Sequence, residues 1–600
     1  MDETSTTPKK KHKTIKWIFA LLGIITIIAL GAAWYINKKW KPLLTNAIQN
    51  TLIDASDSLY TVKFSDIKVN ILVGNVTVDS IELIPNLDVY DKLKAKRIAP
   101  ENIFRLKIYK LSLKNIKPFK VYREKKLDIK NITLQNPELT VFYTKLKNQI
   151  QKKEDNRTPY QRIKNTLKEL KITSIFLTDV KFKYVDQSYE KPKITSFDQM
   201  NIRLNDILID SLAQYDSTRI FSTKDIIAEI NNYSYATPDS MYKINIKHAF
   251  VSSQNKQFKI GGIALEPRLK EMAFTNSFKR QQERYKLSFD SVLVNNIDFN
   301  QLIDKRTIKS SKVSLLNGNL AVFLDRGKPA KLIDKGKNFP HLALRRINWD
   351  IIADTIVIKN TNISYAEYNP KTEAKGTLYL KNLNGRIFNI TNDSLALTKN
   401  GFANAYLQTY LMGKGKLDIN IRFNLTDAKG GFSYKGTLGS MDMTVLNSLT
   451  KPLAMLSTNT GKVNSMEFDI KGNVDGAKGK VILRYEDLNI SIMKKDDEND
   501  KLKKSGLVSL IANALLVDNA NPKGKDPLKV AYPSYSRPKE GSFFNLMWKT
   551  IFEGLKVNVG ITKEREDNLK KRADNFSQAK ADREERKEKR IKRREERKNK

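Results

Sequence analysis

Residues 129–141 read IKNITLQNPELTV, and their spacing recurs along the chain. Apolar side chains stand at offsets 0, 3, 5, 10 and 12 from Ile129, and Asn136 stands at offset 7. Steps of two residues are typical of a half-buried strand, and a step of three indicates a bulge or register shift. Asn136, followed by Pro137, is expected to form a tight corner. The segment therefore predicts a bent strand, a corner and a second strand.

Two further segments repeat this pattern in full. They are 172–184 (ITSIFLTDVKFKY), with Asp179 at the corner, and 353–365 (ADTIVIKNTNISY), with Asn360 at the corner. The copies are unevenly spaced, which argues against a strict solenoid, but three full matches favour a repeated supersecondary unit over chance. Two partial copies are Ile108, Leu111, Leu113 and Asn115, and Phe289, Val292, Val294, Asn296 and Phe299.

The rest of the body shows the same period of two, which predicts a mainly β fold. In 417–423, for example, every second residue is apolar, and Asn, Asp and Gly punctuate such runs as turns. The 600 residues are too many for one ordinary core, and 40% apolar residues suffice for packed cores. The absence of cysteine from the sequence excludes disulfides, thiolate metal sites and cysteine nucleophiles.

Residues 17–36 read WIFALLGIITIIALGAAWYI and carry no charge. As a helix they would span the roughly 30 Å hydrocarbon core, and the lysines that precede them predict a cytoplasmic N-terminus. The alternative is a cleaved signal peptide ending at 31–33, but the apolar run is longer than is usual for one. We expect a single-pass inner-membrane anchor with the bulk of the chain in the periplasm. The anchoring side chains are Trp17, Ile18, Phe19, Leu21, Leu22, Ile24, Ile25, Ile27, Ile28, Leu30, Trp34 and Tyr35.

Composition and periodicity divide the chain into segments. The tail has charge without apolar periodicity, and is expected to be a solvated helix or disordered. The segments are a cytoplasmic basic N-terminus (1–16), the transmembrane helix (17–36), a juxtamembrane helix (37–59), an N-terminal β region (60–345) with a charged helical insertion (145–170), a C-terminal β region (346–495), C-terminal helices (496–562) and the basic tail (563–600).

An apolar helix is predicted within the C-terminal helices. Its apolar residues recur at helical spacing, and Asn545, Lys549, Glu553 and Lys556 occupy its other face. Such a helix could cap a β core, lie on a membrane or plug an apolar groove, and capping is the simplest of these. The side chains that would contact a groove or a membrane are Phe543, Phe544, Met547, Trp548, Ile551, Phe552 and Leu555.

The formal net charge of +42 is distributed along the chain. Residues 1–40 carry +5 and residues 563–600 carry +7, which leaves +30 on the remainder. A uniform excess favours anionic membranes or envelope polymers over sequence-specific DNA. Ten acidic residues interleave with the bases of the tail, which weakens phosphate tracking, so no nucleic-acid partner is expected.

No catalytic, cofactor-binding or metal-binding pattern stands out in the sequence. His12 belongs to the positive flank of the anchor, His248 lies in a strand pattern, and His341 follows Pro340 in a predicted loop. The glycines at 413–415 lack the third glycine of a nucleotide-binding fingerprint. We therefore expect a protein that is not an enzyme and has no cofactor.

The chain resembles the AsmA-like family of bacterial envelope proteins. The N-terminal anchor and the unit at Ile132–Pro137 contribute to the resemblance, which covers about residues 17–560. The C-terminal segments that carry it are 436–447 (GTLGSMDMTVLN), 461–472 (GKVNSMEFDIKG), 479–490 (GKVILRYEDLNI), 511–522 (IANALLVDNANP) and 542–555 (SFFNLMWKTIFEGL).

The resemblance implies an inner-membrane anchor bearing an elongated, curled antiparallel β-sheet groove in the periplasm, related to bridge-like lipid transfer proteins. It implies that the groove binds or guides lipid acyl chains, phospholipid being the expected ligand, and supports outer-membrane biogenesis and homeostasis. An outer-membrane or periplasmic protein partner is a further expectation. The alternative is a non-catalytic envelope scaffold that binds anionic lipids, cell-wall polymers or protein partners.

Overall fold

Strands dominate the described part of the chain, which confirms the predicted mainly β fold. The structure is a computed structural model. It describes residues 58–70, 73–146, 157–495, 502–504 and 517–561, together with Arg586 and Lys589.

Several predicted segments lie outside the described residues. These are the anchor (17–36), nearly all of the juxtamembrane helix (37–59), the centre of the charged insertion (147–156) and most of the basic tail (563–600). No helix in the described ranges is long and apolar enough to cross a membrane.

The elements alternate long strands with short helices. The strands are β1 (Tyr60–Lys63), β2 (Asp66–Asn70), β3 (Asn75–Pro85), β4 (Asn102–Ile116), β5 (Lys126–Gln135), β6 (Glu138–Tyr143), β7 (Glu169–Asp186), β8 (Lys193–Ile209), β9 (Thr223–Ala236), β10 (Tyr242–Ser252), β11 (Gln257–Pro267), β12 (Arg284–Asn295), β13 (Thr307–Asp325), β14 (Asp350–Asn369), β15 (Ala374–Thr391), β16 (Phe402–Leu411), β17 (Gly415–Asn424), β18 (Phe432–Leu438), β19 (Met441–Asp442), β20 (Leu456–Gly472), β21 (Gly476–Lys495), β22 (Leu502–Lys504) and β23 (Ser534–Ser536). The α-helices are α1 (Leu87–Ala95), α2 (Pro118–Glu124), α3 (Pro159–Ile163), α4 (Glu271–Asn276), α5 (Phe299–Lys305), α6 (Pro340–Leu344), α7 (Ser394–Lys399), α8 (Asn447–Ala454) and α9 (Phe543–Asn558).

The chain forms two compact units. Unit 1 contains the described residues within 1–235, 245–263 and 293–310. Unit 2 contains those within 236–244, 264–292 and 311–600.

Unit 1 is built on a mixed sheet. β1 and β2 pair with β3, and antiparallel pairing continues from β3 to β4 and from β4 to β5 and β6. β5 and β6 both run parallel to β7, which then pairs antiparallel with β8. The expectation of a purely antiparallel sheet is therefore wrong. Parallel neighbours require a long crossover connection, and residues 144–168 provide it.

The described end of the predicted insertion contributes to this core. Thr158 accepts a hydrogen bond from the Gln161 amide, and the Gln161 side chain accepts one from the Thr158 amide, so a capping box begins α3. Tyr160 and Ile163 pack on the core, and Leu167 is fully buried. Among the described residues of the insertion, only the short α3 is helical, and its apolar side chains contact the sheet.

The first two copies of the repeated unit lie side by side in unit 1. Ile129 pairs with Ile172 and Ile132 with Ile175, and beyond the corner Leu139 pairs with Phe182. Corresponding positions of the two copies are thus neighbours across the parallel pair. This packing confirms the first two copies as one repeated supersecondary unit.

All five corner residues predicted from the repeat adopt left-handed backbone conformations. The φ angles are 56° at Asn115, 48° at Asn136, 55° at Asp179, 55° at Asn296 and 48° at Asn360. Asn and Asp tolerate this region best among residues other than glycine. The step of three places one extra residue in the alternation. The left-handed residue occupies this extra position, so the apolar side chains before and after it lie on the same face of the sheet.

In the second and third full copies the corner is a bulge inside a continuing strand. β7 passes through Asp179 and β14 passes through Asn360, each with a register shift at that point. A side-chain amide on the neighbouring strand accepts the corner N–H: Asn201 accepts from Asp179 at 3.1 Å, and Asn384 accepts from Asn360 at 3.0 Å. The predicted division into two strands holds only for β5 and β6.

Unit 2 contains an antiparallel series of strands. β14, β15, β16, β17, β18, β20 and β21 pair in that order. β19 adds to β20, and β22 and β23 each add to β21. The buried core of this unit lies between these strands and α9.

Replacing Asn360 tests whether the left-handed corner stabilises the fold. Asn360→Val should be less stable than Asn360→Gly by about 1–2 kcal/mol, because a β-branched residue is strained at positive φ. Both variants lose the hydrogen bond from Asn360 Nδ2 to Asn317 Oδ1, so their difference isolates the backbone. Urea unfolding measures it, and equal stability of the two variants would contradict the role of the bulge.

Candidate functional site

Successive strands of unit 2 place apolar side chains on one side of the sheet. Directly opposed residues of neighbouring strands share a face, so the pairing register defines the row. The row is Ile356, Ile387, Ala405, Ile421, Tyr434, Ile470 and Gly479.

The opposite side of the same strands is polar and faces solvent. Arg386, next to Ile387, is exposed, and so are Lys435 and Asp469 farther along the sheet. The corresponding row is Val357, Arg386, Tyr406, Asn420, Lys435, Asp469 and Lys480. The alternation predicted from the sequence is therefore a division between one apolar face and one solvated face.

Helix α9 covers the apolar face over β17–β21. Ser542 begins the helix by accepting a hydrogen bond from the Asn545 amide. The ring of Phe543 lies 4.9 Å from that of Phe432 and 5.3 Å from that of Phe339. These aromatic contacts hold the first turn of the helix on the sheet.

The middle of α9 is attached through a buried tyrosine. The Tyr434 hydroxyl donates a hydrogen bond of 2.9 Å to the Met547 carbonyl. Burial raises the pKa of this hydroxyl above its ordinary value, so it stays a donor. Farther along, a Cβ built on Gly554 would lie 2.7 Å from the Cβ of Val481, so glycine permits the close approach to β21.

Two fully buried amides attach the end of α9. Asn558 Nδ2 donates to the Val481 carbonyl at 3.1 Å, and Asn558 Oδ1 accepts from the Leu483 amide at 3.1 Å. Asn521 Nδ2 donates to the same Oδ1 at 3.2 Å and to the Leu483 carbonyl at 2.7 Å. Both residues thus satisfy backbone groups of β21 that the helix would otherwise leave buried without partners.

The cover on the apolar face is incomplete. The side chains of Ile470, Tyr434 and Ile421 are 0%, 1% and 7% exposed, whereas those of Ile387 and Ile356 are partly exposed. The residues left partly exposed on this face form what we call the apolar strip. Its members are Ile356, Ile358 and Ile363 of β14, Leu380 and Ile387 of β15, and Leu407 of β16.

Helix α8 limits one end of the apolar strip. It packs on β15 so closely that a Cβ built at Gly376 would lie 2.5 Å from Leu453 Cγ. Gly376 lies on the same face as Leu380, four residues earlier on the strand. The apolar strip is therefore bordered by helices without being closed by them.

Unit 1 has a similar gradient on its own apolar face. Val76, Leu113, Ile132 and Ile175 are cross-strand neighbours and are buried. The row continues on β8 and β9 with Leu204 and Ile226, which are partly exposed. Each unit therefore combines a closed core with apolar strands that are less completely covered.

The structure separates the seven residues predicted on the C-terminal helix. Phe543 is buried, and Met547, Ile551 and Leu555 pack against the core of unit 2. The other three residues, Phe544, Trp548 and Phe552, face away from the sheet and are 70%, 44% and 38% exposed. The helix thus caps a β core, as the simplest prediction had it, and also presents apolar side chains to solvent. The predicted anchor side chains lie outside the described residues.

Two of the histidines, His248 and His341, lie in regular secondary structure. His248 lies in β10, in agreement with its predicted strand, whereas His341 lies in α6 and not in the predicted loop. His341 is buried with its ring 5.1 Å from that of Phe423, and burial lowers its pKa. Pro340 explains the difference, because proline at the first position favours a helix start. Among the described residues, no group of three or more His, Asp or Glu side chains could hold a metal ion.

Sequence reasoning missed the residues that attach α9. Asn558 follows the apolar repeat and is indistinguishable there from an ordinary helix-terminal asparagine. Asn521 lies in a polar stretch within the predicted C-terminal helices (496–562), where nothing in the sequence distinguishes it. Gly554, within an otherwise apolar helix, was the available signal, because such a glycine often marks a close contact.

Comparison with known proteins gives no assignment. No protein-family model matches the sequence, and no curated protein is detectably similar to it.

Truncating Asn558 tests the attachment of α9. Asn558→Ala should lower the free energy of unfolding by roughly 2–4 kcal/mol, because several buried backbone groups lose their partners. The control is Asn545→Ala, a change on a partly exposed side of the same helix, which should cost less than about 1 kcal/mol. Denaturant unfolding followed by circular dichroism measures both. Equal losses would contradict the assigned role of Asn558.

Proposed function

We propose that this chain is a membrane-anchored periplasmic envelope protein of AsmA-like type that binds lipid acyl chains on the apolar strip of unit 2. The observation that carries the proposal is the partial exposure of Ile356, Ile387 and Leu407 on a face that is otherwise buried. Ile387 and Leu407 pack against the core of unit 2 and still keep part of their surface exposed, whereas Ile470 is fully buried. An apolar ligand would remove the remaining surface from water.

The dimensions of the apolar strip suit an acyl chain. Neighbouring strands lie about 4.8 Å apart, so β14–β16 present a width of about 10 Å. From Ile356 to Ile363 the strand extends by roughly 20 Å. A single acyl chain extends about 15 Å, half of the hydrocarbon core of a bilayer, and fits within this length.

The positive charge of the chain suits the headgroup of an anionic phospholipid. The net charge of +42 raises the local concentration of anionic headgroups. The side chains of the apolar strip supply apolar contact area, which an acyl chain can cover without hydrogen bonds. We infer that the protein guides lipid between membranes and so supports outer-membrane homeostasis, with its N-terminus in the cytoplasm.

Photo-crosslinking in the full-length protein tests this proposal. The photoreactive amino acid p-benzoylphenylalanine is placed at Ile387, on the apolar strip, or at the neighbouring Arg386, on the solvated face. After irradiation of the intact membranes, mass spectrometry should detect phospholipid adducts at position 387 at least several times more often than at position 386.

The adjacent pair controls for membrane proximity, because both positions have the same distance along the chain from the predicted anchor. Equal lipid labelling at the two positions would contradict selective binding on the apolar strip. Labelling of a protein at position 387 would instead support the envelope scaffold.

A further inference from the structure

An aromatic stripe runs along the outer side of α9. It consists of Phe544, Trp548 and Phe552, which are four residues apart and therefore lie on one line of the helix. The rings of Trp548 and Phe552 are 5.6 Å apart. Large apolar side chains clustered in this way on an exposed surface commonly mark an interaction site.

The position of the aromatic stripe is rigidly defined by the opposite face of the helix. Phe543, Tyr434 and Asn558 hold the beginning, middle and end of α9 against the sheet. The helix cannot rotate to bury the aromatic stripe without breaking these contacts. The exposed aromatic side chains are therefore a fixed surface of unit 2, distinct from the apolar strip.

The chemistry next to the aromatic stripe favours an anionic lipid surface. The ammonium groups of Lys549 and Lys556 lie 5.8 Å and 5.9 Å from the centre of the Phe552 ring. Lys556 is paired with Glu553 at 2.7 Å, and the helix carries a net charge of +1. Lysines beside an inserted helix can extend to the headgroups while their methylene chains stay in the apolar layer. Tryptophan is enriched at membrane interfaces, where its ring has apolar and polar partners at once.

The sequence beyond α9 adds a second basic element. The helix ends at Asn558, and the tail at 563–600 follows within five residues with a net charge of +7. Shallow insertion of apolar side chains is usually weak alone, and an adjoining polybasic segment adds attraction to anionic lipid. The sequence therefore adds positive charge shortly after the aromatic stripe along the chain.

We propose that α9 docks on an anionic membrane surface, with Phe544, Trp548 and Phe552 inserted at the interface. The side chains that bind the sheet and those that bind the membrane are different, so docking needs no unfolding of unit 2. The proposal is independent of acyl binding on the apolar strip, and either can hold without the other.

Vesicle flotation with the full chain tests the docking. The protein is reconstituted in phosphatidylcholine nanodiscs, which accommodate the predicted anchor, and is mixed with free vesicles. Vesicles of equal parts phosphatidylcholine and phosphatidylglycerol should carry the protein upward, and pure phosphatidylcholine vesicles should carry much less. The triple variant F544S/W548S/F552S should bind the anionic vesicles roughly tenfold or more weakly.

Matched controls separate docking from general stickiness. L395S/Y532S removes two other largely exposed apolar side chains of unit 2 and should float like the unchanged protein. A chain ending at Thr562 should lose most of its preference for phosphatidylglycerol. Thermal unfolding should be nearly unchanged in all variants, since the altered side chains make few buried contacts.

Fluorescence gives a second measurement that does not depend on folding yield. Lipids brominated near the headgroup should quench tryptophan emission in the unchanged protein, and W548F should lose the vesicle-dependent part of this quenching while still floating. Unchanged flotation of the triple variant would overturn the proposal. So would vesicle-independent self-association that disappears in that variant, because the aromatic stripe would then bind a second protein molecule.

Discussion

The structure depends on keeping apolar side chains on one face of strands in which a step of three residues interrupts the alternation. A strand has a side-chain period of two, so one extra residue would move every later side chain to the opposite face of the sheet. At Asn136, Asp179 and Asn360 a left-handed residue absorbs that extra position. Because the neighbouring strands make matching adjustments, the apolar rows continue across each sheet without interruption. The apolar strip and the surface that α9 covers both depend on this register.

A long apolar face has to be covered, and the covering elements in unit 2 are few. Helix α9 closes the face over β17–β21 by three kinds of contact: aromatic packing at Phe543, the Tyr434 hydrogen bond and the buried amide of Asn558. On β14 and β15 the apolar side chains of this face stay partly exposed. The same helix has three aromatic residues on its outer side. Helix α9 thus covers part of the apolar face of the sheet and also presents an apolar surface of its own to solvent.

Much of the fold could be predicted because alternation and corner residues are local features. The period of two indicated strands, and the spacing around Asn136 and Asp179 located the left-handed corners correctly. Parallel pairing of β5 with β7 could not be predicted, because a strand buried on one face shows the same alternation in either direction. The side on which α9 packs was equally hidden, since both faces carry aromatic residues. Which one contacts the sheet depends on Gly554 and Asn558, whose roles exist only once β21 lies beside the helix.

The proposed lipid binding requires that the apolar strip is open to a lipid. The most direct measurement is an experimental structure of the full chain, extracted from membranes without removing bound lipid. Elongated density in contact with Ile356, Ile387 and Leu407 is the predicted result. A strip that is covered by the chain's own residues, or that is empty in a lipid-replete preparation, would contradict the account.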